Sequence, residues 1–337
     1  MNKISGYTQT YNCIDKEYPF EECIKSLLGF CDEVIVLDCH SNDGTYEKLL
    51  SLSENNSKLK VHLSKSNTKS IQTLEQSPKS EARSYCTGEW CWQADVDEIV
   101  HEEDYLKIRN LILDLGKMKD FKKVDVFCLP IVEFWGHKGK VRVDINSWKW
   151  RLSRNKDYIV HGVRKEFREY DDNGKLISTS GSDACEYIHK ETYEGIPFVL
   201  LYNPIFENLR ANAVHDQQLA STKWQDFVNY LIDSLPTVYH YSWFDIAKKI
   251  KDHKEMWSKI WASRLNVEKL ENYMFDKDWQ DVTDEDISSL AERLESDLGG
   301  WVFHRKINWK QKTSSITINK SHPKVMNSFI KRKLDSL

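Results

Sequence analysis

The stretch DEVIVLDCHSNDGTYEKL, Asp32 to Leu49, joins an apolar run, a polar turn and the start of an amphipathic segment. Val34 to Leu37 are four consecutive apolar residues with no alternation, the pattern of a short strand buried on both faces. Ser41, Asn42, Asp43 and Gly44 then supply turn formers, and Thr45 stands where a helix N-cap is expected. A strand that ends at an acidic residue and feeds a helix is one half of a parallel βαβ unit.

The same alternation extends on both sides. KISGYTQTY (Lys3 to Tyr11) reads as a first strand and FEECIKSLLGFC (Phe20 to Cys31) as a helix. After the second helix, TYEKLLSLS, KLKVHLS (Lys58 to Ser64) reads as a third strand, SPKSEARSYCTG as a helix ending at Gly88, and EWCWQAD (Glu89 to Asp95) as a fourth strand. Strand and helix in alternation predict a mostly parallel sheet with helices on its faces. Ligands of such sheets bind at the carboxyl ends of the strands. From about Asp120 the pattern becomes β-rich and irregular, through VDVFCLPIVEFWG, KVRVDINSWKWRLSR and YIVHGVRKEFREY. After VYHYSWF it turns helical, with Ile246, Ile250, Trp257 and Trp261 near helical spacing and lysines between them.

Composition narrows the function classes. The chain has 337 residues, 48 Lys plus Arg against 52 Asp plus Glu, and no general attraction to nucleic acid follows from that balance. No run approaches the ~20 apolar residues of a spanning helix and the first residues lack the apolar core of a signal peptide, so a soluble, cytoplasmic protein is expected. The eight cysteines form no CxxC pair and read as buried thiols in a reducing compartment. The basic tail FIKRKLDSL reads as an exposed helix, with peripheral attraction to an anionic membrane face as the other reading.

The chemistry centres on WCWQADVDEIVHEED, Trp90 to Asp104. D-x-D triplets also occur at Asp276 to Asp278 and Asp284 to Asp286, where a loop and a helix start, with Thr283 or Asp284 as N-cap, account for them. Asp95 and Asp97 differ because they follow a strand directly, and Glu102, Glu103 and Asp104 already supply carboxylates for the next helix. Carboxylates at alternate positions after a strand suit a hard divalent cation, which in turn neutralises a diphosphate. The Asp38 loop is neither a dinucleotide fingerprint nor a P-loop.

SGYTQTYN, EVIVLDCHSNDGT, SEARSYCTGEWCWQADVDE and VYHYSWF, in that order, resemble the motifs of glycosyltransferase family 2, enzymes of the GT-A fold that include bacterial lipopolysaccharide- and capsule-type sugar transferases. The likeness is good over about the first 115 residues and looser over the next 130. It implies a GT-A type Rossmann-like α/β fold with a C-terminal helical extension. The divisions would be a nucleotide-sugar-binding half at 1–120, an acceptor-binding half at 121–244 and the extension at 245–337. It further implies that Thr8, Tyr11 and Asn12 line the base pocket, that Asp38 contacts base or ribose, and that Asp95 lies near the ribose. Asp97 would ligate Mn2+ or Mg2+ across the donor diphosphate, His240 would complete that site, and Arg83, followed by Ser84 where the family often has Asn, would sit behind the edge as a donor-site residue, positioning the donor or the acidic loop. His161 is similar in kind to a family segment whose next residue is acidic. Gly162 stands in that place here, which leaves Glu166 as the expected base and Glu133 as another candidate.

The expected activity is metal-dependent transfer of a sugar from a nucleotide-sugar donor to a hydroxyl of a glycan or glycolipid acceptor, with inversion, in bacterial surface polysaccharide synthesis. Two other classes remain open on the residues alone. A metal-dependent nucleotidyltransferase or phosphohydrolase would need more acidic ligands converging on Asp95 and Asp97. A non-catalytic carbohydrate-binding protein would rely on aromatics such as Trp135, Trp148, Trp150 and Trp243.

Overall fold

Strand β1 (Ile4–Thr10) lies at the centre of the parallel part of the sheet, between β2 (Glu33–Asp38) and β4 (Trp90–Gln93), and β3 (Leu59–Leu63) adds parallel to β2. The computed structural model describes residues 2–65, 78–117, 126–137, 140–142, 148–160, 163–164, 168–170, 176–179, 232–233, 235–259, 272, 274–296, 315–317 and 320–335. All six residues of β2 are buried, as its unbroken apolar run predicts. The helices between these strands are α1 (Phe20–Phe30), α2 (Thr45–Glu54) and α3 (Pro78–Ser84). On α1, Phe20, Cys23, Ile24, Leu27 and Phe30 form the buried face, while Lys25 is exposed and pairs with Glu21 at 3.6 Å. Gly88 is required before β4, because a Cβ there would meet the Lys3 carbonyl and the Ser5 hydroxyl at 2.7 Å.

Beyond β4 the sheet changes character. β5 (Glu98–Val100) and a 3-10 turn lead into α4 (Tyr105–Lys117), followed by β6 (Val126–Trp135), β7 (Lys140–Arg142) and β8 (Trp148–Arg154). β8 pairs antiparallel with both β4 and β6, and β7 pairs antiparallel with β6. Two small ladders follow, β9 (Ile159–Val160) with β10 (Val163–Arg164) and β11 (Arg168–Tyr170) with β12 (Leu176–Thr179). β13 (Val238–Trp243) then inserts between β5 and β6, antiparallel to the first and parallel to the second. The fold is α/β, a sheet that is parallel through its N-terminal half and flanked by helices.

The C-terminal part contains α5 (Ile246–Asp252), which runs on into a π-helical turn (His253–Trp257), then α6 (Asp284–Ser296) and α7 (Asn327–Asp335). It is not wholly helical, since β14 (Ser315–Thr317) extends the sheet beside β7. Ile246 and Ile250 are buried as their spacing predicts. The Trp257 and Trp261 side chains lie outside the described residues. Trp135 and Trp243 stack at 5.0 Å within a second apolar cluster with Ile246, Ile250, Trp279 and Leu294, which corrects the idea that these two offer open faces to a sugar. Trp148 and Trp150 lie on β8, with side chains outside the described set. Thr283 does cap α6, by reciprocal bonds with Asp286. Cys13, Cys23, Cys31, Cys86 and Cys91 are buried free thiols, and no helix among the described residues is long and apolar enough to cross a membrane.

Candidate active site

The carboxyl edge of the parallel strands gathers three loops. Ala94 donates its N–H to the Tyr7 carbonyl at 3.1 Å, so the Asp95–Asp97 turn starts beside the end of β1. That turn is braced internally, with Glu98 N–H to the Asp95 carbonyl at 3.0 Å and Asp95 N–H to Glu98 Oε2 at 3.0 Å. Its far side is tied to β13, where Tyr241 N–H donates to the Asp97 carbonyl at 2.9 Å. Glu98 therefore braces the triplet.

Asp97 and His240, assigned together from sequence as metal-site residues, do meet. Asp97 Oδ1 lies 3.3 Å from His240 Nε2, and the other ring nitrogen, Nδ1, lies 2.6 Å from Glu133 Oε2. All three side chains are buried, and Glu133 Oε1 has no hydrogen-bond partner among the described residues. A carboxylate and an imidazole nitrogen form a reasonable donor pair for Mn2+, with an oxygen preference that also admits Mg2+. Adjacent ligands of an octahedral ion at ~2.1 Å stand about 3 Å apart, close to the separation found here. The pair thus fits a divalent cation as two of its ligands. Among the described residues there is no group of three or more His, Cys, Asp or Glu side chains arranged to hold a metal. The convergence of further acidic ligands that a phosphohydrolase reading needs is likewise absent among the described residues.

Asp95, expected near a ribose, is engaged by two cations of the protein. Its Oδ1 pairs with Lys79 on α3 and its Oδ2 accepts from Arg151 Nη2 at 3.0 Å. Arg151, on β8, is the main residue that the sequence reading missed. It also forks onto Glu98, through Nε at 2.6 Å and Nη2 at 2.5 Å. Arg151 standing between Trp150 and Leu152 in WKWRLSR was the available signal, because a buried guanidinium requires acidic partners.

Asp38 is fully buried with its carboxylate engaged within the protein. Oδ1 accepts from Ser41 N–H at 2.8 Å, and Oδ2 accepts from the hydroxyls of Ser41 and Thr10 at 2.7 and 2.8 Å. A base or ribose at this edge would meet the loop that Asp38 shapes before it met Asp38. Gly44 has φ +92°, a conformation favoured by glycine, and occupies the N-cap position expected for Thr45. Thr45 Oγ1 instead accepts from the N–H groups of Cys13 and Ile14, at 2.9 and 3.2 Å.

The three residues assigned to a base pocket separate. Thr8 is 0% exposed, paired with Val36 of β2 one residue beyond the end of the β4 pairing, and so lines no open surface. Asn12, at φ 47°, exchanges two bonds with Asn42, Nδ2 to Oδ1 at 2.9 Å and Asn42 N–H to Asn12 Oδ1 at 3.0 Å. Tyr11 is 46% exposed, with Lys16 Nζ 4.7 Å above its ring, and is the one of the three that presents an aromatic face. Behind them, burial pushes the Tyr18 hydroxyl strongly up, reinforced by the charges of Asp252 and Asp97, so it stays a neutral donor to Asp252 Oδ2 at 3.1 Å.

Arg83 is buried and engaged with backbone and side-chain acceptors of β8 and the turn after it. It donates to the Ile159 carbonyl at 3.1 Å, the Ser153 hydroxyl at 2.9 Å and the Arg154 carbonyl at 2.7 Å. It ties α3 to β8 and the turn that follows. His161, Gly162 and Glu166 lie outside the described residues.

No protein-family model matches the chain, and no curated protein matches it. Among solved structures, S. aureus TarS 1–349 in complex with UDP-GlcNAc is similar at 21% identity and TM-score 0.31, over 45% of this chain and 45% of that one. S. aureus TarS 1–349 in complex with UDP is similar at 14% identity and TM-score 0.35, over 92% and 99% of the two chains. The mannosyltransferase PcManGT from Pyrobaculum calidifontis, in complex with GDP-Man and Mn2+, is similar at 15% identity and TM-score 0.30, over 45% and 44%. At these values the likenesses assign no ligand or reaction to this chain.

Proposed function

We propose that the chain is a metal-dependent glycosyltransferase that moves a sugar from a nucleotide-sugar donor to a hydroxyl of a glycan or glycolipid acceptor. The observation that carries this reading is the meeting of Asp97 and His240, 3.3 Å apart, at the carboxyl edge of a parallel sheet. The ordered motifs of the sequence support the same reading, including the family-2 type, inversion and a place in bacterial surface polysaccharide synthesis.

Asp97 and His240 would hold Mn2+ or Mg2+, which when bound neutralises charge on a departing nucleoside diphosphate. Tyr11 offers its exposed ring to the base, while Asn12 and Asp38 keep the two neighbouring loops in register through Asn42 and Ser41. Lys79 and Arg151 neutralise Asp95 and Glu98, so the turn does not repel an anionic donor. Glu166 takes the proton from the acceptor hydroxyl as that oxygen attacks the anomeric carbon.

The test is a thermal-shift panel of UDP, GDP, CMP and dTDP with and without Mn2+. One nucleotide is expected to stabilise the protein in a metal-dependent manner, and Asp97→Ala to abolish the response. Absence of any shift at high nucleotide concentration would overturn the proposal.

A further inference from the structure

We infer that Glu133 is a positioning residue for the candidate metal site: it takes the Nδ1 hydrogen of His240 and so leaves Nε2, beside Asp97, as the nitrogen that binds the cation. This rests on the metal-dependent reading proposed above and assigns Glu133 a role that competes directly with that of the reaction's base.

His240 on β13 is the register partner of Glu133 on β6, and neighbouring partners present their side chains on one face. Glu133 Oε2 stands 2.6 Å from His240 Nδ1, a short charge-assisted distance. A carboxylate can only accept, so the hydrogen in this contact belongs to Nδ1. A neutral imidazole carrying its hydrogen on Nδ1 has its lone pair on Nε2, the atom that faces Asp97 at 3.3 Å; without a cation that second carboxylate contact calls for a hydrogen on Nε2 as well, and a bound cation would take that hydrogen's place. Histidine ligands generally donate their second ring N–H to a carboxylate or carbonyl, which fixes the ring's orientation and raises its basicity. Here the donor, the acceptor and the side facing Asp97 all have the geometry that arrangement requires.

The same contacts argue against Glu133 as the base. Its side chain is 5% exposed, one oxygen is engaged by the histidine, and the other is buried with no partner among the described residues. A base must come within hydrogen-bond reach of an acceptor hydroxyl that arrives from solvent. Glu133 stands behind the imidazole, with His240 between it and Asp97.

Mn2+ affinity, measured by titration in the absence of nucleotide, separates the roles. Glu133→Leu is expected to weaken Mn2+ binding about 10- to 100-fold, the usual effect of removing such a partner. Glu133→Gln keeps an acceptor oxygen and is expected to fall between Leu and wild type. Imidazole 15N spectra of the wild-type, metal-free protein give a readout that needs no substitution, and a hydrogen on Nδ1 of His240 is expected. Equal Mn2+ affinity in folded wild type, Gln and Leu proteins, or an Nδ1 without hydrogen, overturns the inference while the metal site stands. Loss of turnover in Glu133→Gln at unchanged Mn2+ affinity identifies Glu133 as the base and also overturns it. Failure of the wild-type protein to bind Mn2+ overturns the metal reading itself, and this inference with it.

Discussion

Arg151 holds Glu98 in a two-pronged contact, Nε to Oε2 at 2.6 Å and Nη2 to Oε1 at 2.5 Å, with both side chains almost sealed from water. A third bond from Nη2 reaches Asp95, so one guanidinium fixes both ends of the turn that presents Asp97. Replacing it leaves Glu98 without its cation in a dry place, while Asp95, 29% exposed, keeps Lys79. Arg151→Met is expected to destabilise the protein by about 3–5 kcal/mol. Arg151→Lys keeps the charge and loses the fork, and should recover only part of that. Urea unfolding curves of the three proteins measure it, and a Met variant as stable as wild type would refute the clamp.

Arg83 offers a contrast between holding the fold and holding a ligand. Its acceptors include the Ser153 hydroxyl and the carbonyls of Arg154 and Ile159, and it lies over the Tyr7 ring. Arg83→Lys can satisfy at most part of that set, and a loss of about 2–3 kcal/mol is expected from the buried acceptors left without a partner. Nucleotide affinity of the folded variant should stay within a few-fold of wild type. A variant of normal stability with lost nucleotide binding would place Arg83 in the donor site after all.

The contrast between these arginines shows what was legible in the sequence. β1 to β4 and their helices could be read because β2 is an unbroken apolar run, strand-like and helix-like segments alternate around it, and breaks carry turn formers such as Gly44 and Gly88. Asp97 and His240 stood out separately, one at a strand end and one between aromatics. Their link to Glu133 was not visible, because it requires β13 to insert between β5 and β6, with 107 positions separating His240 from Glu133. Arg151 was missed for the same reason, since its acidic partners come from other strands. Asp38 is a different case: Ser41 returns two bonds to it from three residues on, a local turn that DCHS could have suggested.

His253 makes stability depend on pH. Its ring is buried and stacked on Trp243 with centroids 5.7 Å apart. Burial, aided by the Lys249 charge, pushes its pKa down from 6.5 to about 3. The unfolded chain takes up a proton below about pH 6.5 that the folded protein resists, so stability present above that pH is lost as pH falls toward 3. The slope from this one group approaches about 1.4 kcal/mol per pH unit. His253→Phe keeps a stacking ring and removes the proton site. Stability measured in steps through this range should fall less steeply for the variant, and identical slopes would reject the assignment.

Lys333 of α7 joins two segments that flank the candidate site. Its ammonium pairs with Glu17, in the turn after Asn12, and with Asp245 at 2.9 Å. Asp245 in turn caps α5, accepting from Lys248 N–H at 3.0 Å just after the strand that carries His240. Lys333 is 9% exposed in its side chain, so screening by solvent is weak. Lys333→Met fills a similar volume without charge and leaves two carboxylates facing one another. A loss of about 3 kcal/mol is expected, the lower end for breaking a buried pair because Glu17 is itself exposed. Amide exchange should quicken in residues 13–18 and at the start of α5, while β2 keeps its protection. A double-mutant cycle with Glu17→Gln separates a clasp from two independent contacts, because a clasp requires a coupling of at least about 0.5 kcal/mol. Additive losses, with exchange unchanged in the 13–18 turn, would show that α7 packs on this edge without holding it.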